Sequence, residues 1–200
     1  MHARKQLKRY FILRNCGKDY SKKRLPMAGR LNDRKDHTKE SGKRIECVTL
    51  GSDCYKTDTM EKNIIKSIEI NTAASKVWNA LINPDIIIQY FPGVETQTDW
   101  KPGNEIRFIH QQQGQSVSDK GIILDFVPPH LLRHTYWTPF SGLDDKPEHY
   151  TTVSYSLSET DNRTILTVTQ TNFNSEEWWR NSQAGWDDVL TTIKKIVEAS

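Results

Sequence analysis

The residues best suited to chemistry in this 200-residue chain are three histidines and a glutamine: His110, His134, His149 and Gln170. Each falls on the apolar parity of a run that reads as a β-strand, where side chains alternate between two faces. In 105–110 the inward set is Ile106, Phe108 and His110, and in 121–127 it is Ile122, Leu124 and Phe126. In 131–137 it is Leu132, His134 and Tyr136; in 149–157 it is His149, Thr151, Val153, Tyr155 and Leu157. In 164–172 it is Leu166, Val168 and Gln170. Arg133 sets the choice on its strand. A slip of one residue would turn its charge into the apolar interior, a cost on the order of 3–5 kcal/mol if unpaired. Polar groups in an apolar interior could anchor a ligand, act as general acid and base, or hold a metal through three imidazoles. The histidines stand 24 and 15 residues apart, which carries no metal motif, and no metal or other cofactor is expected. His110 and His149 lie at strand ends near the rim on this reading, leaving His134 as the internal histidine.

Other catalytic patterns are missing. The chain has no Gly-rich phosphate loop, no G-x-S-x-G elbow and no H-E-x-x-H. All three cysteines (Cys16, Cys47, Cys54) precede residue 60, so the rest of the chain has no thiol nucleophile. The acid pairs Asp144-Asp145, Glu176-Glu177 and Asp187-Asp188 are sequence neighbours whose side chains diverge, which suits solvated faces and caps better than a catalytic dyad. No catalytic residue is assigned.

The elements that position these residues are legible from 60 onward. Ile64–Ile70 is β-branched and partly alternating, a strand. Asn71-Thr72 offers turn and cap chemistry before Ala74–Ile82, where Val77, Trp78 and Leu81 take helical spacing. Asn83-Pro84 ends that helix and starts a second, through Phe91. Strand-like runs follow at 94–98, 105–110, 121–127, 131–137, 150–157 and 164–172, separated by turns such as Gln111–Ser116, Pro128-Pro129 and Asp161-Asn162. Short connections imply antiparallel neighbours. Ser175–Ala199 closes the chain with Trp186, Val189, Leu190, Ile193, Ile196 and Val197 as one helical stripe. The predicted class is α+β, a curved antiparallel sheet around a long C-terminal helix with a pocket between them.

Charge divides the chain. Residues 1–59 hold 16 Lys+Arg against 7 Asp+Glu, whereas 60–200 hold 12 against 18 and all six tryptophans. The basic segment has no sustained hydrophobic period, and is expected to be a disordered extension or an over-extended reading frame starting upstream of Met60. It lacks groove-reading motifs and aromatic interleaving, so no nucleic-acid partner is expected. It also lacks a secretory apolar core, and no run of apolar residues is long enough to span a membrane.

Five segments resemble, in order, the Hsp90-ATPase-activator homologue group of the START/Bet v 1-like (SRPBCC) superfamily. They are the opening Ile68–Pro84, Gly121–Pro129, Gly142–Glu148, Thr164–Gln170 and Gly185–Glu198. The resemblance covers about 62–198 and implies a helix-grip fold over a hydrophobic cavity. It implies a domain at 60–200, a small hydrophobic ligand or a chaperone partner, and a cytoplasmic location. The pocket candidates are Tyr90, Phe91, Phe108, His134, Tyr136, Tyr155, Gln170 and Trp179, on the second helix, the inward strand faces and the start of the long helix. The function expected is binding of an apolar or aromatic ligand without covalent chemistry. The alternatives are a cyclase-like enzyme using His134 or Tyr136, and a co-chaperone-type interaction module. Since 1–59 offers no core-forming pattern, a chain starting at Met60 should melt within a few degrees of the full chain; a larger drop in melting temperature would mean that the segment packs.

Overall fold

The computed structural model describes residues 62–200; the expectation for 1–59 lies outside them. Its strands are β1 (Ile64–Ile70), β2 (Val94–Gln97), β3 (Glu105–Gln112), β4 (Gln115–Val127), β5 (Leu131–Tyr136), β6 (Thr151–Thr160) and β7 (Arg163–Thr171). They form one antiparallel sheet in the order β1-β7-β6-β5-β4-β3-β2. Helices α1 (Ala74–Ile82) and α2 (Pro84–Tyr90) follow β1, and the long α3 (Glu176–Ala199) ends the chain. This is the helix-grip arrangement. No helix among the described residues is long and apolar enough to cross a membrane.

Local chemistry explains each helix. The Ser175 hydroxyl accepts from the Trp178 N–H at 3.3 Å, and Glu176 and Glu177 occupy the positive end of the α3 dipole. From there Trp178, Ser182, Trp186, Val189, Ile193 and Val197 repeat at three or four residues and are buried against the sheet. Asn83 caps α2 by accepting from the Asp85 N–H at 2.9 Å, with Pro84 in its first turn. The cap expected at Asn71-Thr72 is supplied differently. The N-cap of α1 is Ala73, and Glu159 of β6 reaches across to accept from the Ala74 N–H at 2.8 Å.

The edge strand β1 lies against α3, whose side chains meet its unpaired backbone. Lys194 Nζ donates to the Glu69 carbonyl at 2.7 Å, Trp179 Nε1 to the Asn63 carbonyl at 3.4 Å, and Glu198 accepts from the Asn71 N–H at 2.8 Å. Ion pairs Lys62–Glu176 and Lys66–Asp187 run along the same seam.

Two strand expectations need correction, both on β4. The turn expected at Gln111–Ser116 is shorter: β3 runs to Gln112, β4 starts at Gln115, and Gln113 (φ 50°) with Gly114 (φ 79°) makes a tight two-residue turn. The inward set is not Ile122 and Leu124, which are exposed, but Asp119, Gly121 and Ile123. A bulge between Ile123 and Asp125 then reverses the parity, so that Phe126 returns to the core side. The β5 register has Leu132, His134 and Tyr136 buried and Arg133 exposed, ion-paired with Asp125.

Gly121 sits where β4 and β5 approach most closely. A Cβ there would meet the Thr135 carbonyl oxygen at 1.7 Å. Neighbouring backbone cannot yield as a flexible side chain would. Gly121→Ala should therefore cost about 3 kcal/mol, the upper end of the range for overpacking, measured by denaturant unfolding. A loss under about 0.5 kcal/mol would mean that the two strands separate freely there.

Candidate functional site

Between the sheet and α3 the fold leaves a small apolar cavity of about 40 Å3 that opens to solvent. Phe91 at the end of α2, Val94 of β2 and Phe108 of β3 form one part of its wall. Tyr136 of β5, Val153 and Tyr155 of β6, Gln170 of β7 and Trp186 of α3 form the rest. None of the eight is charged.

Aromatic rings run in series along this wall. Trp178 and Tyr136 are 6.3 Å apart, Tyr136 and Phe108 6.0 Å, and Phe108 and His134 5.7 Å. His134 and Tyr155 follow at 6.2 Å, and Tyr155 and Trp186 at 5.8 Å. All are within the range of favourable ring–ring contact.

A directional polar chain crosses the same region. Trp186 Nε1 donates to Gln170 Oε1 at 2.8 Å, Gln170 Nε2 donates to Thr151 Oγ1 at 3.1 Å, and Thr151 Oγ1 donates to the Tyr136 carbonyl at 3.2 Å. It links α3 to β7, β6 and β5 through both ends of the Gln170 amide.

Of the residues expected at the pocket, Phe91, Phe108, Tyr136, Tyr155 and Gln170 line the cavity. Three do not. Tyr90 is buried beside α1, where its hydroxyl donates to the Ala80 carbonyl at 3.1 Å. His134 packs between Phe108 and Tyr155 rather than on the cavity surface, and its Nδ1–H donates to the Thr135 carbonyl at 2.8 Å. Trp179 is turned about 100° around the helix from the inward Trp178, half-buried at the β1 edge with Lys62 over its ring at 4.9 Å. The helix phase, which Ser175 sets, decides between the two adjacent tryptophans. His149 also leaves the inward set: it ends a 3-10 turn at Pro147–His149 before β6 begins, bonded to the Asp144 carbonyl at 2.8 Å.

His110 is not a rim residue. It is 4% exposed, and its Nδ1 lies 4.0 Å from Oδ2 of Asp119, which is 0% exposed. Asp119 Oδ2 accepts from the Tyr136 hydroxyl at 2.8 Å. Asp119 is the functional-looking residue that the sequence reading passed over. With the turn placed at Gln113-Gly114, the hairpin register sets it opposite Phe108, on the inward face. Burial pushes its carboxyl up, against the opposing pull of the Thr138 and Tyr136 hydroxyls and of His110. Burial likewise raises the phenols of Tyr136 and Tyr155. Among the described residues no three His, Cys, Asp or Glu converge as a metal-ligand set.

The long helix gripped by an antiparallel sheet, over a cavity walled by aromatic side chains, defines the class as a helix-grip cavity protein. Residues 71–198 match the family described as Activator of Hsp90 ATPase homolog 1-like protein. The chain belongs to that family. A solution structure of ChR145 from Cytophaga hutchinsonii is 32% identical, with a TM-score of 0.60, over 70% of this chain and 97% of that one. The Aha1 dimer of Colwellia psychrerythraea has the same fold at 18% identity and TM-score 0.56, over 68% and 96% of the two chains. CalU16 of Micromonospora echinospora has it at 24% and 0.52, over 68% and 73%. No curated protein matches the sequence.

His134 carries a pH prediction. Burial lowers its pKa to about 4, against about 6.5 for an unfolded imidazole. Between those values the unfolded chain binds a proton that the folded one refuses. Stability is therefore fully present above about pH 6.5 and falls as the pH drops toward 4, by about 3 kcal/mol in all. His134→Gln should lose that part of the acid sensitivity. Comparing unfolding free energies of both proteins at about pH 7 and pH 4.5 isolates it, because the carboxylates, Asp119 included, titrate in both. Equal slopes would place His134 in water.

Proposed function

We propose that this protein is a binding module that holds a small apolar or aromatic molecule in the cavity beneath α3, without covalent chemistry. The observation that carries this reading is the composition of the wall: uncharged, and largely aromatic. Such surfaces recognise ligands by burial and ring stacking, with a few polar atoms left to orient them.

The cyclase-like alternative has less support. His134 is not on the cavity surface, and its Nδ1–H is committed to a backbone carbonyl. Tyr136 reaches the cavity, yet its proton is directed at Asp119. Neither group is placed to protonate a bound carbonyl. The interaction-module alternative has the family relationship in its favour.

The neutral fluorophore N-phenyl-1-naphthylamine tests the reading. Its emission should rise saturably with the wild-type protein. Val153→Phe, which grows a ring from the cavity wall, should weaken binding more than tenfold while costing only about 1–3 kcal/mol of stability. Absence of binding to the wild type, or equal binding to the folded variant, would overturn the proposal.

A further inference from the structure

The polar atoms on the cavity wall are few, and their hydrogen bonds can be followed one by one. Gln170 engages both ends of its amide, the carbonyl with Trp186 and the amine with Thr151, and keeps one N–H and one lone pair beyond these bonds. Trp186 has a single N–H, which that bond consumes. The Tyr136 hydroxyl has one proton, given to Asp119. Tyr155 differs from all of these. It is 8% exposed, and among the described residues its hydroxyl makes no hydrogen bond. Its ring lines the cavity, so the Tyr155 phenol is the one hydroxyl of the wall without a partner among the described residues.

We infer that Tyr155 is the specificity-determining residue of the cavity, donating its O–H to a neutral ligand that has an apolar or aromatic body and a hydrogen-bond-accepting oxygen, a carbonyl above all. The inference rests on the proposed binding function and names the class of ligand. Burial keeps the phenol protonated at neutral pH, so the group offered is a donor. Its ring is held on both sides, by His134 at 6.2 Å and by Trp186 at 5.8 Å, so the hydroxyl is aimed rather than free to swing. Neutrality follows from the wall. No lysine, arginine or histidine lines the cavity, and Tyr136 turns its hydroxyl to the buried Asp119 carboxyl. An anionic ligand would enter without a counter-charge.

Three naphthalene probes of similar shape separate the possibilities: 2-acetylnaphthalene, 2-isopropylnaphthalene and 2-naphthoate. Their dissociation constants are measured on the full chain and on Tyr155→Phe, which keeps the ring and removes only the oxygen. The ketone's affinity relative to the isopropyl compound should fall about tenfold in the variant, the effect of a buried acceptor left without its donor. The isopropyl compound itself should bind both proteins within about twofold. The carboxylate should bind the wild type at least about tenfold more weakly than the ketone, because of the missing counter-charge. An unchanged ketone-to-isopropyl ratio in a folded Tyr155→Phe protein would overturn the role of Tyr155 while leaving the binding function standing. A carboxylate that binds as tightly as the ketone would overturn neutrality alone. Failure of all three probes on the wild type would remove the cavity reading and this inference with it. The melting temperature of the variant confirms that it is folded; if it is not, Tyr155→Leu with the same probe ratio decides.

Discussion

The distance between α3 and the sheet is set by one side-chain pair, the indole N–H of Trp186 on the amide oxygen of Gln170. Both partners are buried, so the bond cannot be exchanged for water without cost. Gln170 is held in turn through Thr151 to the backbone of β5. The helix is thus tied to three consecutive strands by groups that also form the cavity wall. A purely aliphatic contact would let the helix settle until the void closed, since interiors pack to high density. A pair of long, polar, mutually satisfied side chains keeps it at a fixed height.

That arrangement divides the labour on the sheet's inner face. Toward β1 and β7, aliphatic residues such as Ile70, Leu166 and Val168 meet Val189, Ile193 and Val197 in a closed core. Toward β2 and β3 the helix has run out, and aromatic rings stand in for it. The buried Asp119 and His110 lie at that thinner end. Both ring nitrogens of His110 and Asp119 Oδ1 lack hydrogen-bond partners among the described residues, as do Trp178 Nε1 and Ser182 Oγ on the inner face of α3.

Much of this was legible in the residues because the dominant signals are local. The stripe of α3, the Asn83-Pro84 break and the alternation of β6 and β7 follow from side-chain pattern alone. Arg133 settled the β5 register because a buried unpaired charge is so costly. The failures share a cause as well. On β4 a bulge inserts one residue, and period two cannot anticipate a change of phase that depends on how β5 docks. Asp119 was missed because its stretch, Gln115–Lys120, is polar enough to read as loop. The signal was present in Gln113-Gly114, whose two-residue turn fixes the hairpin register. Trp178 and Trp179 are adjacent, so no composition argument separates them; the cap at Ser175 fixes the rotation that does.

The bonds from α3 onto β1 have a consequence for how the molecule behaves among its own copies. An edge strand with free carbonyls and amides is a template onto which another chain can zip. Here Lys194 takes the Glu69 carbonyl of β1, Trp179 and Glu198 take backbone groups of Asn63 and Asn71 just beyond its two ends, and charged pairs line the seam. The opposite edge, β2, is only four residues long. Both borders are thus blunted, one by its shortness and the other by side chains of the helix that also shapes the interior.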